Sequence, residues 1–178
     1  AGGNGIESGY TETAQVKILA NNITIKSSQN GIFTSKGEGG IFSTNRGYVV
    51  IGEKDGRRID SLTIVADGQG IDNKKGKTEI YGSENSVIDI HSTGNGGINP
   101  NQAAINNEGS GDNGVVMLEG GLIKLTADTG NGITNSSGTT SLTSKRVVIN
   151  ANVDGIHNSS GQVILDTAGQ NFVTAKSN

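Results

Sequence analysis

Few residues in this chain are placed to do chemistry. Asp154, in "NVDGIH" from Asn152, is the carboxylate that a glycan-cleaving site would use. Such a site needs two carboxyl groups held at a defined separation, and nothing in the spacing supplies the second. Asp154 also occupies a slot filled by Asn30, Gln69 and Asn131 in sister phrases of the chain, so it is first of all a repeat residue. His91 and His157 each follow an inward isoleucine, and strand alternation turns both toward solvent. Asp112, in "GSGDNG", has the look of a calcium loop. Hard cations take about six or more oxygens, usually with several carboxylates, and Asp112 stands alone among glycines. With no Cys in the chain, thiolate metal sites, disulfides and thiol catalysis are excluded, and no nucleotide-binding glycine motif leads from a strand into a helix. We expect no catalytic residue, no metal and no cofactor.

That leaves binding. A formal net charge of −3 gives no general attraction for nucleic acid or an anionic membrane, and nucleic acid is not an expected partner. No apolar stretch reaches the roughly 18 residues of a spanning helix, so direct membrane insertion of this chain is not expected either. The cations that could meet a partner are Arg46, Lys54, Arg57 and Arg58. A polar segment offers Asn95, Asn99 and Asn101 beside the only proline, Pro100. Tyr10, Tyr48 and Tyr81 could stack on one glycan.

A repeat must position these residues. "NGIFTSKG" from Asn30, "QGIDNKKG" from Gln69, "GNGITNSSG" from Gly130 and "VDGIHNSSG" from Val153 share one grammar, and spacings of a few tens of residues mark stacked repeats. A trace at "NGIESG" from Asn4 and a stretched copy in "GGINPNQAAINNEG" extend the series. Before each phrase stands an alternating apolar pair: Ile23 and Ile25, Leu62 and Ile64, Ile123 and Leu125, Val147 and Ile149. Within it the regular apolar position is Ile32, Ile71, Ile133 or Ile156, and after it comes Ile41, Ile80, Leu142 or Leu165. Alternation at period two predicts half-buried strands. Composition that is 31% hydrophobic and 3% aromatic is thin for an ordinary globule. Three short strands per repeat, each too brief to bury anything alone, solve this by coiling. The expected fold is therefore all-β, a right-handed parallel β-helix with three faces. Its inward ladders contain Ile25, Ile32 and Ile41, Ile64, Ile71 and Ile80, and Ile149, Ile156 and Leu165. About six turns at roughly 4.8 Å each would span on the order of 28 Å. Asn73, Asn135 and Asn158 fall at one register and could form a side-chain ladder.

Residues 1–178 are read as one such unit, cut from a longer array, with insertions at about 42–61 and 93–114. In the first, "KDGR" from Lys54 predicts a tight hairpin turn. Its cations would either meet an acidic partner or simply keep the hairpin from edge pairing. The second has the composition of a long exposed loop.

Degenerate turns of this form, without Cys and rich in Gly, Asn, Ser and Thr, resemble the passenger of a bacterial type V autotransporter adhesin. The resemblance implies a Gram-negative cell-surface protein, made with a leader and a carboxy-terminal membrane barrel. It would attach to a host or bacterial surface protein or glycan, or to itself, without catalysis. The chain opens at Ala1 without a charged-then-apolar leader, so any leader is expected to have been removed. The alternative is a polysaccharide-binding or polysaccharide-degrading β-helix, such as a phage tailspike or a lyase. The Asn-x-Asp-Gly core at Asn152 resembles a motif of polygalacturonase-like hydrolases. The Asp pair, Gly-His-Gly and Arg-x-Lys of those families are absent from this sequence.

Overall fold

Alternation decides which residues face inward. Across the segment Ile59–Ala66, Leu62, Ile64 and Ala66 are buried while Ser61, Thr63 and Val65 between them are half-exposed, as period-two geometry demands. The computed structural model describes residues 3–8, 14–35, 47–94, 102–109 and 114–176. Among the described residues the regular structure is all strand, numbered β1 to β15 in chain order, with no helix. Every strand pairing is parallel.

A six-stranded sheet runs β1 (Ile6–Ser8), β4 (Ile32–Ser35), β7 (Ile71–Lys74), β9 (Ile105–Asn107), β11 (Ile133–Asn135) and β13 (Ile156–Asn158). Its register sets like against like, so that Ile6, Ile32, Ile71, Ile105, Ile133 and Ile156 follow one another in a column. The second sheet has nine strands. Its spine is three long strands, β8 (Lys77–Ser92), β10 (Val115–Ala127) and β12 (Thr139–Ala151), each spanning two repeat positions. Their first halves join β2 (Gln15–Ile18), β5 (Tyr48–Ile51) and β14 (Gln162–Thr167) in the column Ile18, Ile51, Ile80, Leu118, Leu142, Leu165. Their second halves join β3 (Asn22–Ser27), β6 (Ile59–Ala66) and β15 (Phe172–Ala175) in the column Ile25, Ile64, Ile90, Leu125, Ile149, Val173. The buried members of all three columns pack into one core.

Two expectations change. Ile41 lies outside the described residues, and the position opposite Ile80 is held by Ile51. Four residues past the phrase is the right distance only where the connection is short, and here it is long. Nor are the stretches 42–61 and 93–114 purely inserted, because β5 and β9 within them are sheet strands. At the last copies the columns lose their cover, and Ile156 and Leu165 are only partly buried.

Glycine enters where the layers touch. A Cβ on Gly70 would sit 2.3 Å from Ile90 Cγ2 and 2.5 Å from the Ala104 carbonyl oxygen, so the residue before the inward isoleucine must be nearly bare. The closing Gly138 has φ of 86°, a left-handed conformation that costs a glycine nothing.

Beside the isoleucine column runs a buried polar one. Thr34 Oγ1 donates to Asn73 Oδ1 at 2.5 Å, Asn73 Nδ2 to Asn107 Oδ1 at 2.8 Å, Asn107 Nδ2 to Asn135 Oδ1 at 3.0 Å, and Asn135 Nδ2 to Asn158 Oδ1 at 2.8 Å. The expected ladder is thus present and gains Asn107 and Thr34. At the exposed end the Asn158 amide, when turned, donates to the carbonyls of Asn135 and Ser160, and the ladder's direction is set by the buried rungs from Thr34 to Asn135. Asn73, Asn107 and Asn135 have no solvent exposure, so each rung is a polar group that burial makes obligatory to pair.

Chemical denaturation tests both columns. Ile71→Ala should lower the unfolding free energy by about 2–5 kcal/mol, the range for a buried isoleucine cavity. Asn107→Ala, which orphans the Asn73 amide, should cost about 1–3 kcal/mol, and exposed Asn158→Ala about 0.5 kcal/mol or less. Equal effects at Asn107 and Asn158 would contradict the ladder.

Candidate functional site

Gly52, with φ of 76°, turns the chain out of β5. The Glu53 amide donates to the Arg57 carbonyl at 2.7 Å and the Arg57 amide to Glu53 Oε2 at 3.2 Å, which closes the expected tight turn. It is not a hairpin, because β5 and β6 pair in parallel with neighbouring copies and not with each other. Lys17 bridges to Glu53 at 2.5 Å, and this hydrogen bond, with the Arg57 amide and the Lys17 charge, lowers the Glu53 carboxyl below its ordinary range. Lys54 and Arg57 are exposed. Arg58 is not a free cation: its Nη1 donates to the Gly82 carbonyl and to Glu119 Oε2, each at 3.0 Å, and its Nη2 to the Lys54 carbonyl at 2.7 Å. It clamps the loop to the sheet. Arg46, Asn95, Asn99 and Asn101 lie outside the described residues, as do Tyr10, Pro100 and Asp112.

The clamp borders an open groove of about 620 Å³. It forms where the long strands bend, since Gly82 and Gly120 bring no side chains and the β8–β10 register shifts between Glu119 and Leu122. Around it stand the Arg58–Glu119 pair, Lys145 at 3.9 Å from Glu84, and Asp166, for which the described residues hold no ion pair. Ser144 also lines it, and its buried hydroxyl has no partner among the described residues. The groove can hold polar ligands by hydrogen bonds and charge.

Tyr48 and Tyr81 are committed elsewhere. Tyr48 donates its phenol to Glu79, and Lys77 pairs with the same carboxylate at 2.7 Å. Burial pushes Glu79 up, but the bonds from Lys77, Tyr48 and Tyr81 outweigh it and leave the carboxyl below its ordinary range. Burial and the Glu79 carboxylate together push the Tyr48 phenol up to about 12, and the same causes raise Tyr81. Tyr81 is buried, with the Arg58 guanidinium 6.0 Å from its ring centre, so it offers no face to a sugar.

Two polar constellations escape sequence reasoning. Asp72, buried in β7, accepts from Asn30 at 3.0 Å and from Asn106 at 2.9 Å, and Asn106 also reaches Glu108 at 2.9 Å. Burial raises the Asp72 carboxyl despite those bonds. At β13, Ser159 Oγ lies 3.2 Å from His157 Nε2, and His157 Nδ1 lies 3.2 Å from Asp154 Oδ2. This has the connectivity of a nucleophile relay but not its setting. All three residues are exposed, whereas the relay's carboxylate works buried. The only sequence signal is proximity within "DGIHNS". His91 pairs with Asp128 at 2.8 Å, and among the described residues no three His, Cys, Asp or Glu side chains cluster to hold a metal. Comparison of the chain with models of known families, with curated proteins and with solved structures finds no match.

Asp72 gives a pH test. A carboxyl whose pKa rises on folding contributes stability below its unfolded pKa and loses it as pH climbs through the folded value. The amide introduced by Asp72→Asn does not titrate. The unfolding free energy of wild type minus that of the variant should therefore fall as pH is raised from below the ordinary carboxylate range toward neutrality. A flat difference would mean that Asp72 is not strained by burial.

Proposed function

We propose that this chain is a right-handed parallel β-helix with three faces and about six turns, and that it serves as a cell-surface adhesin module of the autotransporter passenger type. It attaches to a surface protein or glycan of a host or another bacterium, or to itself, and turns nothing over. Its place is outside a Gram-negative cell. The observation that carries this reading is the unbroken like-on-like register of three columns. That register supports a long rigid scaffold whose outward loops are free to vary. The acids of the groove, Glu84, Glu119 and Asp166, favour a second reading as a polysaccharide-binding or polysaccharide-degrading β-helix.

The exposed cations of the first loop test the adhesin reading. Lys54→Glu with Arg57→Glu should abolish adherence to cells while changing stability by about 0.5 kcal/mol or less. Raised salt should act similarly, because exposed charges are screened within about 10 Å at 0.1 M. Arg58→Glu is unsuitable here, since it would set a second carboxylate against Glu119 and unfasten the loop. Adherence that survives both treatments would remove the loop from the contact, and release of sugar from polysaccharide, with calcium present, would favour the second reading.

A further inference from the structure

The corner that joins the two halves of the long strands is not level. From one inward column to the next, the chain runs through 52–61 from β5 into β6 and through 81–87 within β8, but only through 119–122 in β10 and 143–146 in β12. The long links project and the short ones lie back, so the groove is a step cut into this corner. Its floor is bare at Gly82 and Gly120. A Cβ on the adjoining Gly121 would sit 2.5 Å from the Glu84 carbonyl oxygen, so glycine is what lets the projecting link rest against the next layer. Along one side the register sets Glu119, Thr143 and Asp166 in a column, at about 4.8 Å per step.

Charge decides what fits there. Both cations of the groove are already answered: Arg58 by Glu119 at 3.0 Å, and Lys145 by Glu84 at 3.9 Å and by the side-chain oxygen of Asn85 at 3.1 Å. The surplus is in acceptors. Arg58 engages one carboxylate oxygen of Glu119 and leaves the other, and the Asp166 carboxylate lies two steps further along the same side. Ionised carboxylates only accept, so the ligand must bring donors. A uronate, sulfate or phosphate would bring further acceptors and negative charge.

We propose that this groove holds an extended chain of neutral sugar lying along the column. Sugar hydroxyls donate to Glu119 and Asp166, the Thr143 hydroxyl donates and accepts between them, and the C–H face of a hexose rests on the glycine floor. An extended hexose chain advances per unit by a distance close to one layer, so successive sugars meet successive members of the column. A peptide is matched less well. The strand backbone here is already paired on both sides at Glu119, and the one apolar side chain in the lining is Ala168, which leaves no pocket for an anchor. The proposal rests on the attachment reading for its purpose and deepens it by naming the chemistry that is held.

Native gels cast with dextran, mannan, galactan or hydroxyethyl cellulose should retard the purified chain in at least one case, whereas polygalacturonate and heparin should not. Thr143→Arg sets a guanidinium between Glu119 and Asp166 and should weaken the retarding interaction about tenfold or more, the scale for losing hydrogen bonds to charged groups, at an unchanged melting temperature. If that variant melts early, Thr143→Gln fills the same space without charge and should weaken binding likewise. Absence of retardation by every neutral polymer, equal retardation by the acidic ones, displacement of the sugar by polylysine, or full binding by a folded Thr143 variant would each overturn the proposal. Adherence to cells is scored apart. Sugar binding without adherence would sink the adhesin reading and leave the groove assignment standing, and adherence without sugar binding would do the reverse.

Discussion

Parallel pairing in register is the constraint on which the rest of this molecule depends. No strand of the six-stranded sheet exceeds four residues, and strands of that length bury little on their own. Stability comes from setting each strand against its equivalent in the next copy. Every inward position then becomes a column of similar side chains at about 4.8 Å spacing. One chain of few apolar residues can in this way form a continuous core from three narrow stripes. Outside those stripes the surface is released from packing duty, which leaves room for the loop at Glu53–Arg58 and the groove beside it.

Columns of isoleucine alone would tolerate sliding by two residues, because alternate positions in a strand share a face. The asparagine column does not. Asn73, Asn107 and Asn135 each bond both neighbours within the core, and a slip would leave amides buried without partners at about 1–3 kcal/mol apiece. Apolar burial supplies most of the stability, while the amides select which alignment receives it. The clamp formed by Arg58 plays a comparable part for the loop, fixing its position through Gly82 and Glu119 where the turn's own bonds fix only its shape.

Much of this is legible in the sequence, and what is not has physical reasons. The column through Ile32, Ile71, Ile133 and Ile156 can be read because a glycine, held there by the close approach of the next layer, stands before each of these four isoleucines. Ile105 lacks that flag, since Ala104 precedes it, and its strand reads as part of a loop. Counting forward from the phrase points to Ile41 and not to Ile51, because the count assumes a connection of constant length. The surroundings of Arg58 cannot be read, as Glu119 lies 61 positions away and meets it only once the sheets have formed. The groove likewise arises from Gly82 and Gly120, glycines that look like ordinary turn residues until the register brings them side by side.

The asparagine ladder has a direction. Asn73, Asn107 and Asn135 each accept from the earlier copy and donate toward the later one. Aligned amide dipoles add head to tail, as peptide dipoles do along a helix, and in an apolar interior each bond polarises the next, strengthening it by about 10–30%. The column is therefore an electrical axis as well as a fastening. Its positive pole lies beyond the Asn135 amide and its negative pole toward Thr34, which gives a chain of nearly repeating units two electrostatically unlike faces.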